Sequence, residues 1–323
     1  MKGYGMKRCA VIDDYQTAAS AVADWGRLAE AVDVQFFHEP FHDEDGAAKR
    51  LAGFDIVVAM RERTPFPASL LERLPQLKLL VTTGMRNRSI DIEAAHRQGI
   101  VVCGAEGAGR PTSEMTWALI LTAARNLAVE TAGFRRGAWQ TTLGLDLHGR
   151  TLGLLGLGTV GAQVAAVAQA FGMTVVAWSR NLTAERCVAL GVTRAASLQD
   201  LLATADIVSI HLVLGERTRG LVGVAELKAM KSSALLVNTS RGPIVEEAAL
   251  LRALRERWIA GAALDVYDQE PLPADHPFRD LANLTATPHL GYVTEGNYRS
   301  FYGMAVEDIA AWLEGRPLRV LCP

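Results

Sequence analysis

Short apolar runs recur along the chain, each followed by a turn and then by a stretch with helical spacing. In the first third they are Cys9–Asp13, Val32–Phe37, Asp55–Ala59, Leu77–Thr82 and Ile100–Cys103. The rhythm resumes after Gly149 with Leu152–Leu155, Thr174–Trp178, Ile207–Leu212, Ala234–Thr239, Ala260–Val266 and Leu284–Ala286. Continuous Val-, Ile- and Leu-rich runs without polar alternation predict strands buried on both faces, and their alternation with helices predicts parallel sheets. Between the two series, Thr112–Ala132 predicts one long apolar helix that can bridge the halves. The expected fold class is α/β: two doubly wound parallel-sheet domains, Rossmann-like or flavodoxin-like, with an active-site cleft between them.

Composition narrows the field. The length of 323 residues suits two domains. Lys and Arg number 33 against 35 Asp and Glu, a net charge of −2. Binding of nucleic acid or of an anionic membrane by bulk electrostatics favours a basic excess, so neither partner is expected. Four scattered cysteines (Cys9, Cys103, Cys187 and Cys322) show no CxxC spacing, which argues against a zinc ribbon or a disulfide framework and suits a reducing compartment. Met1–Val11 has no apolar stretch of signal-peptide length, and no run approaches the ~18 residues that span a bilayer. A cytoplasmic protein without a metal is expected.

The strongest local signal is Gly156-Leu157-Gly158-Thr159-Val160-Gly161, which follows one apolar run, opens a helical pattern and precedes another run. That context is what a dinucleotide-binding turn requires: glycines for the tight turn and close backbone approach, and a helix N-terminus for the pyrophosphate. The following run ends Ala177-Trp178-Ser179-Arg180-Asn181. Ser179 stands where an acid would hold the ribose hydroxyls of NAD, and Arg180 offers a guanidinium for a 2′-phosphate, so NADP is favoured over NAD.

Three ionisable residues each follow a later strand: Arg241, Glu270 and His289. Ligands of open α/β sheets sit beyond the carboxyl ends of the strands. An Arg to hold a carboxylate and polarise a carbonyl, a His to exchange the hydroxyl proton and a Glu to orient it are what hydride transfer to a 2-oxo acid requires.

At these residues the sequence resembles the D-isomer-specific 2-hydroxyacid dehydrogenases. The matching segments are the glycine turn, Asn238-Thr239-Ser240-Arg241-Gly242, Ala263–Pro271, Thr287-Pro288-His289-Leu290-Gly291 and, earlier, Ile90–Ala95, in the family's order over most of the chain. The resemblance implies Arg241, Glu270 and His289 as catalytic residues. It places Asp265, Thr239, Ser240 and Gly291 near the nicotinamide, Leu212, Val213 and Thr218 along the cofactor, and Thr159 and Val160 over the pyrophosphate. It implies a discontinuous substrate domain, 1–103 plus 291–323, beside an NAD(P)-binding domain, 104–290. Main-chain N–H groups around Gly84, Met85 and Arg86 would hold the substrate carboxylate, with Arg86 standing where relatives often have Gly. Cleft closure would exclude water, and a homodimer is expected through the cofactor domains and the arm near Thr112–Ala132.

Within the family, Trp178-Ser179-Arg180 looks most like the NADPH-using glyoxylate/hydroxypyruvate reductases, which act on small 2-oxo acids. D-3-phosphoglycerate dehydrogenase is the alternative, although the length leaves no room for the extra C-terminal domain some of those enzymes carry. Formate dehydrogenases resemble the chain too, but have Gln at the position of Glu270. An alternative of another class is a dinucleotide-sensing corepressor-like scaffold, since fold alone does not fix function.

Three further patterns are expected to carry no chemistry. His38-Glu39-Pro40-Phe41-His42 matches the HExxH spacing, but Pro40 opposes the helix that spacing needs. His211 is expected to pack rather than to act as acid or base. Asp13-Asp14 is expected to cap a turn.

Overall fold

The computed structural model describes residues 6–107 and 109–322. The first five residues of the Met1–Val11 stretch and the terminal Pro323 lie outside the described residues. The chain divides into two compact units. One takes the described residues up to Gly109 and from Val293 onward; the other is Arg110–Tyr292.

The first unit holds a parallel sheet of β1 (Lys7–Val11), β2 (Val32–Phe36), β3 (Ile56–Ala59), β4 (Leu79–Thr82) and β5 (Val101–Gly104), in the order β2-β1-β3-β4-β5. Every residue of β3 and β4 is buried, which is why those runs are apolar without alternation. Asp43 and Asp91 accept backbone N–H groups at the starts of helices Glu44–Leu51 and Ile92–Arg97. Helix Glu295–Leu313 returns to this unit and buries Tyr298, Phe301, Tyr302 and Ile309. Behind it, Val320 bridges to Cys103, and Leu321 N donates to Val102 O at 2.8 Å. Asp14 Oδ1 accepts from Ala18 N and Ala19 N, the capping role expected of it. His38–His42 runs through the loop after β2, outside any helix, so its two histidines do not share a helical face.

The second unit holds β6 (Thr151–Leu155), β7 (Thr174–Trp178), β8 (Thr193–Arg194), β9 (Ile207–Ile210), β10 (Leu235–Asn238), β11 (Gly261–Leu264) and β12 (Leu284–Ala286). They form a seven-stranded parallel sheet in the order β12-β11-β10-β9-β6-β7-β8. Strand order reverses between β6 and β9, the switch point at which open sheets of this kind bind ligands. Two apolar clusters cover its faces, one around Leu201, Ile210, Leu236 and Leu254, the other around Trp117, Leu152, Val164 and Ile207.

Two expectations need correction. Thr112–Ala132 is not one helix but two, Pro111–Ala124 and Leu127–Arg135. Asn126 between them has φ 50°, a left-handed conformation that Asn tolerates better than most residues, and its side-chain amide donates to Leu143 O at 3.1 Å. The strands before the functional loops are also shorter than their apolar runs. His211 and Leu212, Thr239, and Asp265 and Val266 all lie beyond the last ladder residue and belong to the loops. No described helix is long and apolar enough to cross a membrane.

Candidate active site

Three glycines shape the turn after β6, and they are glycines for different reasons. Gly156 has φ 102°, and a Cβ there would sit 2.6 Å from His211 O. A Cβ on Gly161 would sit 2.3 Å from Gly156 O. At Gly158 a Cβ would meet nothing within 4 Å, so its missing side chain serves no packing purpose. Helix Thr159–Ala170 starts here with Gly158 as N-cap and no side-chain cap. Its first N–H groups, those of Thr159 and Val160 among them, therefore open on the bare turn with the positive end of the helix dipole. A backbone cradle that no side chain fills fits a pyrophosphate.

Beside it lies a recess of ≈ 220 Å³. Its lining includes Ser179, Arg180, Leu212, Val213 and Thr218, together with Arg217, which sequence reasoning missed. No acidic residue lines it. Thr218 does more than line the recess: its hydroxyl accepts from Gly215 N at 2.8 Å and donates to Val213 O at 2.7 Å, closing the turn after β9. Ser240 Oγ donates to Leu212 O and ties that turn to the loop after β10. His211 lies half-buried with Nε2 3.0 Å from Ser209 Oγ. Burial lowers its pKa to about 4, so the ring is neutral near pH 7, as a packed histidine should be.

The three remaining candidates stand on the carboxyl edge of adjacent strands. Asn238 pairs with Leu264, and Leu264 with Ala286, so the loops after β10, β11 and β12 are neighbours. Arg241 leaves β10 through a turn bracketed by Asn238, whose amide donates to Arg241 O at 3.0 Å and accepts from Ser240 N at 3.0 Å. Gly242 follows because a Cβ there would lie 2.1 Å from the backbone of Tyr267, so the Arg241 turn packs directly on the loop carrying Glu270. Thr239 Oγ1 shares a 2.7 Å hydrogen bond with Thr116 Oγ1 on helix Pro111–Ala124.

Glu270 and His289 touch. His289 Nδ1 is 2.5 Å from Glu270 Oε2, and Glu270 Oε1 accepts from Tyr267 N at 2.9 Å. The Tyr292 ring meets the imidazole edge to face at 5.2 Å. His289 has φ 54°, an uncommon backbone for a side chain, and Asp265 holds it there. That buried carboxylate accepts from Thr287 Oγ1 at 2.6 Å, Leu290 N at 2.7 Å and Gly291 N at 2.7 Å. Burial raises its pKa while those donors oppose the shift. A Cβ on Gly291 would come within 2.9 Å of Asp265 Oδ2, so the close grip needs glycine.

In the first unit, Gly84 has φ 147° and donates its N–H to Thr82 O at 3.0 Å. Met85 and Arg86 follow it, both exposed. Asn87 anchors this loop by donating to Arg61 O at 2.7 Å and to Thr82 Oγ1 at 2.9 Å. Among the described residues no group of three or more His, Cys, Asp or Glu is placed to hold a metal ion.

Comparison with known proteins settles what this arrangement belongs to. Residues 117–291 match the D-isomer specific 2-hydroxyacid dehydrogenase, NAD binding domain. The chain belongs to that family. Among its relatives is a glyoxylate reductase of Aeropyrum pernix, 42% identical over 257 residues that cover 76% of each chain. Another is a D-3-phosphoglycerate dehydrogenase of Methanocaldococcus jannaschii, 36% identical over 80% of this chain but only 50% of that one. The structure of a phosphoglycerate oxidoreductase from Vibrio cholerae superposes with a TM-score of 0.92 at 36% identity, covering 96% of this chain and 100% of that one. The family expected from the four motifs, its oxidoreductase character, its nicotinamide cofactor and its two parallel-sheet α/β units are thereby shown.

Proposed function

We propose that this dehydrogenase reduces small 2-oxo acids of the glyoxylate and hydroxypyruvate kind to 2-hydroxy acids, the D-isomer where the product is chiral, with NADPH favoured over NADH. The observation that carries the reading is the Glu270–His289 contact on the strand edge that also carries Arg241. The Gly156–Gly161 turn would hold a nicotinamide dinucleotide, which when bound would supply the hydride. The chain supplies the rest. Glu270, being a carboxylate, can only accept, so His289 carries its hydrogen on Nδ1 and exchanges protons through Nε2. Protonated, the ring delivers the Nε2 proton to the oxygen as negative charge develops there, and Glu270 offsets the imidazolium charge. Arg241 takes the substrate carboxylate and polarises the carbonyl. Asp265 keeps the His289 loop in register, with Thr239, Ser240 and Gly291 beside it.

NADPH is favoured because Ser179 and Arg180 line a recess without a carboxylate. The Gly84–Arg86 loop is proposed to bind a substrate carboxylate through Met85 and Arg86 more than through Gly84, whose N–H is already donated to Thr82 O. Exposed Leu127, Phe134, Trp139 and Leu143 on the second unit support a homodimer. Three buried free cysteines suit the cytoplasm.

The test is the initial rate of glyoxylate, hydroxypyruvate and 3-phosphohydroxypyruvate reduction with NADPH and NADH in parallel. Faster turnover of the first two with NADPH supports the proposal. Preference for the phosphorylated acid would move the substrate, and preference for NADH would overturn the cofactor assignment. Dinucleotide binding without turnover of any 2-oxo acid would favour a sensing scaffold instead.

A further inference from the structure

Two loops of the second unit line one recess, and each brings a guanidinium. Arg180 lies two residues past the end of β7, and Arg217 lies on the turn after β9. Ser179, Asn181 and Thr218 line the same recess, and no carboxylate does. Glu216, next to Arg217 in the chain, is exposed and is not part of the lining. Arg180 and Arg217 have no hydrogen-bond or ion-pair partner among the described residues.

Arg217 is exposed, but the turn that carries it is ordered. Thr218 N and Arg219 N both return to Gly215 O, at 3.0 and 2.9 Å, and the Thr218 hydroxyl ties Gly215 N to Val213 O. With Leu212 O held by Ser240 Oγ, the turn is anchored at its base and its tip is closed. The backbone of Arg217 is thus already ordered, and only its side chain has freedom to lose on binding. Two guanidiniums on one recess, with no counter-charge supplied by the protein, suit a dianion with several acceptor oxygens far better than a neutral hydroxyl.

We propose that Arg217 is a specificity-determining residue that acts with Arg180 to bind the 2′-phosphate of a phosphorylated adenosine. The inference rests on the NADPH reading above and adds a contact from a loop separate from the strand-end segment that suggested it. It also gives Thr218 a purpose: its side chain shapes the turn that presents Arg217.

Equilibrium binding tests this without turnover. The full chain and its Arg217→Gln, Arg217→Lys and Arg180→Gln variants are titrated with 2′,5′-ADP and with 5′-AMP by calorimetry. The wild type is expected to prefer 2′,5′-ADP. Arg217→Gln should weaken 2′,5′-ADP by on the order of tenfold and leave 5′-AMP within about twofold, the size of one charge-assisted contact. Arg217→Lys should restore part of the loss. A wild-type preference that Arg180→Gln removes and Arg217→Gln leaves intact would overturn the inference while keeping the NADPH reading. A wild type that does not distinguish the two ligands would overturn the NADPH reading and this inference with it.

Discussion

His289 and Glu270 stand 2.5 Å apart through Nδ1 and Oε2, and the other oxygen of that carboxylate is held by the N–H of Tyr267. Both carboxylate oxygens are thus engaged, one by the backbone and one by the imidazole, which fixes the ring's tautomer and leaves Nε2 as the nitrogen available to exchange a proton. Glu270→Gln keeps the shape but brings in an NH₂ group that can face Nδ1 and reverse the tautomer. Loss of a positioned acid–base function is commonly worth 10²–10⁴ in rate. The variant's kcat should fall by about 10²–10³-fold, the lower part of that range, because Nε2 then becomes the protonated nitrogen of a neutral ring. Steady-state kinetics as a function of pH check this, since the variant should alter the pH profile as well as the maximum.

Asp265 acts one step away. Its carboxylate gathers three donors from the segment Thr287–Gly291 that carries His289. In Asp265→Asn one of those donors must face an amide NH₂. An unsatisfied buried group costs about 1–3 kcal/mol. Thermal unfolding should show that loss, and kcat should drop with it because His289 leaves its left-handed backbone position.

The glycine turn makes a prediction that separates folding from binding. Gly161→Ala drives a Cβ against Gly156 O, so it should destabilise the protein visibly. Gly158→Ala meets nothing in the fold and should leave the melting temperature nearly unchanged, while weakening dinucleotide affinity by closing the space over the turn. Melting curves and NADPH titrations of the two variants should therefore diverge.

Acid should act on stability in two opposed ways. Burial lowers the pKa of His211 from 6.5 to about 4, so its contribution is complete above pH 6.5 and is lost as pH falls towards 4, when the unfolded chain takes up a proton that the folded one does not. The size is on the order of 1–3 kcal/mol. Burial raises the pKa of Asp308 to about 6, despite its ion pair with Arg319, so its contribution grows as pH falls through that value. Denaturant unfolding between pH 7 and 4 should decline less steeply in His211→Gln than in wild type, and more steeply in Asp308→Asn.

Much of this was legible in the chain because buried parallel strands leave an unbroken apolar record, as at Ile56–Ala59 and Leu79–Thr82. β8 left none: Thr193 and Arg194 are both exposed at the sheet edge, and two residues have no period. The break at Asn126 was hidden because apolar positions continue on both sides of it, and only the left-handed backbone interrupts the helix. Arg241, Glu270 and His289 stood out because strand ends are readable. Arg217 did not, because it sits in a polar turn and its importance depends on which other loop shares its recess. The grip of Asp265 on Leu290 and Gly291 was invisible for the same reason, being made to backbone N–H groups about 25 residues away.

In the proposed reaction, His289 moves the proton of a nicotinamide-dependent reduction. The most direct measurement sets NADPH-dependent glyoxylate reduction by wild type beside that by His289→Asn, with NADPH affinity determined for both by titration. The predicted result is equal cofactor affinity, within about twofold, and turnover lower by roughly 10²–10⁴ in the variant. Turnover in His289→Asn within a few-fold of wild type, at unchanged affinity, would take the proton transfer away from His289.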